Sequence, residues 1–294
     1  MRPFYLSPDR EISFCYIPSE STGGLLSRLA EIVNLRESGP ANSLRIHLVS
    51  SDEWEQERSV QGHAVAVPEW TMLPVHTWLR VWREEGRRDY FFELSFPYGR
   101  ASGGNGSLIG HLSMILGTTL ILSDRVTLLH GALVQRDGLA SALIGPSGRG
   151  KTTAARRIGP PWRAISDDMI AVVRGQDGIY RAHGLPTWSA WLEPNEDRAL
   201  GRYVDINEGY PLREIYLIEQ STDDAVMPVS LSEGVDGIVT SSFEIYSRYW
   251  RSFSFEEKLR HKRQLLLGAK EILLDVDHAT LRISKEGEFW NLMA

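Results

Sequence analysis

The apolar residues of the chain recur in two spacings, one typical of α-helices and one typical of β-strands. Residues 24–33 carry apolar side chains at every third or fourth position, which predicts an amphipathic helix. The polar segment 50–62 predicts a loop. Further helices are predicted at 107–123, 151–158, 233–249 and 255–274. Short runs rich in β-branched and aromatic residues predict strands at 12–16, 43–49, 63–67, 90–94, 126–129, 132–135, 140–144, 162–165, 170–173, 179–181, 213–219 and 280–284.

Turn-forming residues divide these elements into hairpins and into two regions. Asp137-Gly138 lies between two apolar runs and predicts a β-hairpin, and residues 175–178 predict a second one. Half of residues 99–106 are glycine, which predicts a linker. The pattern therefore predicts a smaller N-terminal α+β region at 1–106, whose role it leaves open, followed by a second domain at 107–294.

Composition excludes several classes of protein. The formal net charge of −6 argues against an extended nucleic-acid-binding surface. A single cysteine, Cys15, excludes an intrachain disulfide and a multi-cysteine zinc site. The N-terminus lacks the apolar core that secretion requires, and the longest apolar stretch, 108–122, is too short to cross a bilayer. We therefore expect a cytoplasmic protein with no nucleic-acid or membrane partner.

Residues 145–152 read Gly-Pro-Ser-Gly-Arg-Gly-Lys-Thr, a complete phosphate-binding loop between a predicted strand and a predicted helix. In such a loop the backbone N–H groups surround nucleotide phosphates, the lysine reaches the β- and γ-phosphates, and the threonine hydroxyl ligates Mg²⁺. The pattern predicts ATP and Mg²⁺ as cofactors. The predicted nucleotide-binding residues are Gly145, Pro146, Ser147, Gly148, Arg149, Gly150, Lys151, Thr152 and Thr153.

A pair of adjacent carboxylates, Asp167-Asp168, follows the loop after one short helix and one strand. Successive side chains of a strand point in opposite directions, so the two acids should have different roles. We assign Asp167 as the base for an acceptor hydroxyl and Asp168, with Thr152, as a metal ligand; the reverse assignment stays open.

His130 ends a predicted strand just before the hairpin that leads into the loop. Its imidazole could contact phosphate oxygens or the reacting acid, and a purely structural role is the alternative. The candidate catalytic residues are therefore Asp167, Lys151 and His130. Residues 183–191 predict a loop with two tryptophans, which either recognises the acceptor or packs against the core.

The run from His130 to Asp168 resembles the catalytic core of the HPr kinase/phosphorylase family. Those proteins share a His-Gly before a hairpin, a Gly-x4-Gly-Lys-Ser/Thr loop and an Asp-Asp pair soon after. The resemblance implies a serine kinase with a fold similar to phosphoenolpyruvate carboxykinase, using Mg²⁺ and a nucleotide. The glutamate- and glycine-rich segment that follows the acidic pair in that family is missing, so HPr is not the expected substrate. Glu193 is a candidate metal ligand from its position alone.

A narrower resemblance rests on the segments 160–163, 166–168 and 186–189, which read Pro-Pro-Trp-Arg, Ser-Asp-Asp and Pro-Thr-Trp-Ser. They look like those of the SynChlorMet cassette protein ScmC family, an HPr-kinase-like branch encoded beside radical-SAM enzymes and small precursor peptides. Kinases that tailor lasso-peptide precursors look similar too. Either resemblance implies a role in the maturation of a ribosomally made peptide.

Together these observations predict an α/β protein with an HPr-kinase/PEP-carboxykinase-like P-loop domain and a smaller N-terminal α+β region. The expected reaction is transfer of the ATP γ-phosphoryl group to a serine or threonine hydroxyl of a peptide or small protein. Two alternatives stay open: an ATP-binding switch or slow ATPase that transfers nothing, and a kinase of a small metabolite such as serine. Homo-oligomers are known among HPr-kinase relatives, and the sequence leaves the oligomeric state open.

Overall fold

The computed structural model describes residues 2–6, 12–61, 70–84, 88–95, 105–123, 125–188, 202–247 and 253–294. Within these ranges the chain is a mixed α/β protein with two sheets and six α-helices, which confirms the fold class at this level. The helices are α1 (Gly23–Val33), α2 (Ser51–Gln61), α3 (Asn105–Ile121), α4 (Lys151–Arg157), α5 (Leu231–Tyr246) and α6 (Phe255–Asp275). The strands are β1 (Phe4–Leu6), β2 (Phe14–Pro18), β3 (Leu44–Ser50), β4 (Trp70–His76), β5 (Leu79–Glu84), β6 (Asp89–Leu94), β7 (Val126–Arg136), β8 (Leu139–Ile144), β9 (Arg163–Ser166), β10 (Met169–Arg174), β11 (Tyr180–Gly184), β12 (Tyr210–Gln220), β13 (Ala225–Pro228) and β14 (Asp277–Ile283).

The first sheet comes from the N-terminal region and has the strand order β1-β2-β3-β6-β5-β4. Its inner strands β2, β3 and β6 run parallel, whereas β1, β5 and β4 join antiparallel. Strands β4 and β5 have no counterpart among the predicted strands. The predicted strand at 63–67 and most of the predicted linker at 99–106 lie outside the described residues.

The segment predicted as a loop at 50–62 forms helix α2 instead. Ser50 and Glu53 cap its N-terminus reciprocally: the Ser50 N–H donates to Glu53 Oε2 (2.8 Å), and the Glu53 N–H donates to Ser50 Oγ (3.3 Å). The buried Trp54 ring lies 4.7 Å from the ring of Phe91 in β6. The N-terminal cap and the packing of Trp54 on Phe91 therefore stabilise a helix whose polar composition resembles that of a loop.

The second sheet has the strand order β11-β10-β7-β8-β12-β14-β13, with β9 paired to β7. β11 also pairs with β12, so β11, β10, β7, β8 and β12 form a closed ring of strands. β12 runs parallel to β8 on one side and to β14 on the other. The predicted hairpin at Asp137-Gly138 joins β7 to β8, and both turn residues have positive φ angles, 53° and 81°.

β7 is one continuous strand, although the sequence predicted two strands with His130 at the end of the first. Its first half, up to His130, pairs with β10, and its second half, from Gly131, pairs with β8 and β9. The strand therefore changes partners at the His-Gly step. A Cβ atom at Gly131 would lie 2.7 Å from the carbonyl oxygen of Leu143, so only glycine fits this crossing.

We expect Gly131→Ala to lower the free energy of unfolding by about 2 to 3 kcal/mol, because backbone atoms must shift to admit the methyl group. Urea denaturation measures the effect. Gly110→Ala is the matched control, since a Cβ atom at this exposed glycine of α3 would have no heavy atom within 4 Å. The control should be neutral or more stable by up to about 1 kcal/mol, as alanine favours a helix. Equal stabilities of the two variants would contradict the crowding at Gly131.

Residues on both sides of the predicted boundary near 106 share one hydrophobic core. It contains Leu26 of α1 and Leu48 of β3 together with Ile115 of α3 and Leu128 of β7, all fully buried. The N-terminal sheet is therefore packed, through α3, against the strand that carries His130. None of the helices in the described part of the chain is both long and apolar enough to cross a membrane.

Candidate functional site

The glycine-rich loop, residues 145–150, connects β8 to α4 in the predicted order of strand, loop and helix. Gly145, Gly148 and Gly150 have φ angles of 156°, 81° and 94°, which side-chain-bearing residues rarely adopt. The side chain of Gln220, at the end of the parallel strand β12, donates from Nε2 to the Gly148 carbonyl (3.2 Å). The loop conformation therefore depends on glycine, and β12 supports it from one side.

Lys151 is the first residue of α4, and only 5% of its surface is exposed. Its ammonium group lies against the loop and donates to the carbonyls of Gly145 (2.7 Å) and Pro146 (3.1 Å). Burial lowers the pKa of Lys151, while the negative charges of Glu244 and Asp168 act in the opposite direction. The lysine thus lies within electrostatic reach of two carboxylates, one in α5 and one in the turn between β9 and β10.

Glu244 of α5 connects the loop to His130. Its Oε1 accepts from the Ser147 N–H (3.0 Å), and its Oε2 is hydrogen-bonded to His130 Nδ1. Burial alone would raise the pKa of Glu244, but the hydrogen bonds from His130 and Ser147 outweigh it and lower the pKa. The sequence did not single out Glu244, because it lies 97 residues after Ser147, in the last turn of an ordinary amphipathic helix.

His130 lies between two carboxylates. Its Nδ1 faces Glu244, and its Nε2 lies 3.9 Å from Asp168 Oδ1. Its backbone carbonyl accepts from Ser241 Oγ (2.9 Å), one helical turn before Glu244, so α5 contacts this residue at two points. The helical spacing of Ser241 and Glu244 is the one local signal in the sequence that could have suggested a shared target.

The two adjacent aspartates lie in the turn between β9 and β10 rather than in a strand, and they have different surroundings. Asp167 is 3% exposed; its carboxylate accepts from Thr187 Oγ1 (2.6 Å), and its N–H donates to the same oxygen (3.2 Å). The side chain of Asp168 is 28% exposed and faces His130. The structure therefore brings Asp168, rather than Asp167, together with His130.

The segment 183–191 is only partly a loop. His183 belongs to β11, is fully buried, and its Nδ1 contacts the carbonyl oxygen of Ile206 (2.8 Å). Thr187 and Trp188 are buried as well. In its described part this segment packs into the core and supports Asp167, whereas residues 189–191 and the candidate metal ligand Glu193 lie outside the described residues.

The donors near the loop suit a nucleotide with a hard divalent cation. Thr152 and Thr153 are exposed at the start of α4, and Asp168 contributes a carboxylate. Hydroxyl and carboxylate oxygens are ligands that Mg²⁺ accepts alongside nucleotide phosphates. Among the residues that the structure describes, no group of three His, Cys, Asp or Glu side chains is arranged to hold a metal ion by itself.

Fold and site together define a mixed α/β protein in which a glycine-rich loop faces a histidine held between two carboxylates. The chain belongs to the SynChlorMet cassette protein ScmC family, whose family model matches residues 111–294. The matched range includes the loop, His130, Asp168 and Glu244. The resemblance to the ScmC family is thereby confirmed, whereas the resemblance to HPr kinases stays a prediction. A comparison with curated proteins found no match.

Proposed function

We propose that the protein is a cytoplasmic kinase that binds Mg²⁺-ATP at residues 145–153 and phosphorylates a serine or threonine hydroxyl of a peptide or small protein. In this proposal residues 107–294 form a P-loop domain of the HPr-kinase/PEP-carboxykinase type. The observation that carries it is the pairing of Asp168 with His130 next to a loop of phosphate-binding sequence. Asp168 Oδ1 lies 3.9 Å from His130 Nε2. Peptide maturation as the setting is what the resemblance to the ScmC family implies, and the chain belongs to that family.

Catalysis of phosphoryl transfer depends mainly on positioning and on neutralising charge at the terminal phosphate. The loop N–H groups and the Lys151 ammonium are the neutralising groups of this chain. Thr152 would be a protein ligand of the bound Mg²⁺, which supplies further charge neutralisation.

Asp168 is the better placed of the two aspartates to accept the proton of the acceptor hydroxyl, since it is partly exposed and faces His130. This is the reverse of the assignment that the sequence suggested. The buried Asp167, bonded to Thr187, fixes the turn that presents Asp168. Asp168 as a metal ligand is the competing role.

One observation favours a second candidate, an ATP-binding switch that transfers no phosphate. Lys151 and the Ser147 N–H both have partners within the chain: the loop carbonyls for the first, Glu244 for the second. A loop that satisfies its own donors can exchange between two arrangements without any chemistry on an acceptor.

Incubation of the full chain with Mg²⁺ and γ-phosphate-labelled ATP tests the proposal. The acceptors are a library of serine- and threonine-containing peptides, including precursor peptides encoded beside its gene, with free serine in a parallel reaction. We expect a labelled phosphoester on at least one peptide and none with the Asp168→Asn variant. ATP binding without any labelled acceptor would favour the switch, and label on free serine alone would favour a metabolite kinase.

A further inference from the structure

The carboxylate of Glu244 lies where a bound phosphate would compete with it. The Ser147 N–H belongs to the part of the loop whose amides surround phosphate oxygens in proteins of this sequence pattern. In the structure this donor is bonded to Glu244 Oε1. A carboxylate oxygen and a phosphate oxygen carry charge of the same sign, so both cannot accept from one N–H group.

The same carboxylate also holds the imidazole of the candidate site. Glu244 Oε2 is hydrogen-bonded to His130 Nδ1, while His130 Nε2 faces Asp168. Any group that displaces Glu244 from the loop therefore changes the partner of His130. The loop and the catalytic pair are linked through one side chain of α5.

The helix that carries Glu244 has little freedom to move. Ser241 Oγ donates to the His130 carbonyl (2.9 Å), and a Cβ atom at Gly237 would overlap the side chain of Leu217 in β12. α5 is therefore packed directly on the sheet. Rotation of the Glu244 side chain, rather than movement of the helix, is the motion that this packing leaves available.

We propose that Glu244 is an internal competitor of the nucleotide: it accepts from the Ser147 N–H until a phosphate oxygen replaces it, and its departure releases His130 to pair with Asp168. Glu244 is thus a positioning residue that acts through His130, and it sets the affinity of the loop for polyphosphates. This inference rests on the proposed binding of a nucleotide to the loop, and it does not require phosphate transfer.

Nucleotide binding by Glu244→Gln tests the inference. We expect the variant to bind Mg²⁺-ATP and inorganic tripolyphosphate about tenfold more tightly than the natural chain, because a neutral amide competes less well for the N–H group. Asp236→Asn is the matched control, since Asp236 is an exposed acid of the same helix. It should change the affinity less than about twofold. Isothermal titration calorimetry measures the affinities of the natural chain and of both variants.

A second experiment observes the hydrogen bond between His130 and Glu244 directly by proton NMR. The proton between His130 Nδ1 and Glu244 should give a strongly downfield proton NMR signal that is missing in Glu244→Gln. We expect that signal to disappear from the natural chain as Mg²⁺-ATP is added. Loss of structure would weaken binding, so tighter binding is a result that damage to the fold cannot produce.

Unchanged or weaker binding by a folded Glu244→Gln variant, or a His130 signal that persists at saturating ATP, would overturn the inference. Tighter binding without any labelled acceptor would leave it standing and reject the kinase. Labelled peptides together with unchanged ATP binding by Glu244→Gln would support the kinase and reject Glu244 as a competitor of the nucleotide. If neither ATP nor tripolyphosphate binds to the natural chain or the variant, both proposals are wrong.

Discussion

Replacement of Asp168 by asparagine is expected to lower the rate of phosphate transfer by about a thousandfold, the middle of the range for a general base. The affinity for ATP should change less than about threefold. Asparagine keeps the size and one hydrogen-bond acceptor of the side chain but cannot take up a proton. Single-turnover kinetics with labelled ATP measures the rate, and calorimetry measures the affinity.

Asp167→Asn is the matched comparison. An asparagine at this buried position can still accept from Thr187 Oγ1 through its amide oxygen. We expect a loss of at most about tenfold in rate, which follows from a less firmly held turn, together with a small loss of stability. A larger effect of Asp167→Asn than of Asp168→Asn would restore Asp167 as the base.

The metal dependence of Asp168→Asn separates its two candidate roles. If the carboxylate accepts the proton, millimolar Mg²⁺ or Mn²⁺ should not restore the rate. If it only ligates the cation, a higher metal concentration should recover a large part of the rate by mass action. Recovery would therefore contradict Asp168 as the base.

The second prediction with a large expected effect concerns Lys151 and the affinity for ATP. We expect Lys151→Met to weaken ATP binding by about a hundredfold, equivalent to roughly 3 kcal/mol, because a charge-assisted contact with the β- and γ-phosphates is lost. Methionine keeps the length of the side chain but has no donor and no charge. Equilibrium binding of a fluorescent ATP analogue measures the change.

Arg156→Met is the control for overall charge, since Arg156 is an exposed cation of the same helix, α4. It should alter the affinity only a few-fold, an effect that salt should screen. Thermal unfolding serves as a check on the fold, because Lys151→Met also removes the donor of the Gly145 and Pro146 carbonyls. Equal affinities for the two variants would argue that Lys151 does not contact the phosphates.

Local signals predicted most of the elements in residues 107–294 well. The Asp137-Gly138 hairpin is confirmed because a two-residue turn with positive φ angles depends on its own residues more than on the surrounding protein. The glycine-rich loop between β8 and α4 is confirmed for the same reason. The sequence did not predict α2, because its single buried aromatic, Trp54, packs on Phe91 of the sheet, a contact that exists only in the folded chain.

The loop, the turns and the order of most elements could be predicted from the sequence, because neighbouring residues decide these features. Three others needed the folded molecule: β7 runs through His130, Asp168 rather than Asp167 faces this histidine, and Glu244 joins it to the loop. The difference comes from separation along the chain. Residues 97 and 114 positions apart meet only when the helix that carries Glu244 packs on the sheet that carries His130 and leads into the loop.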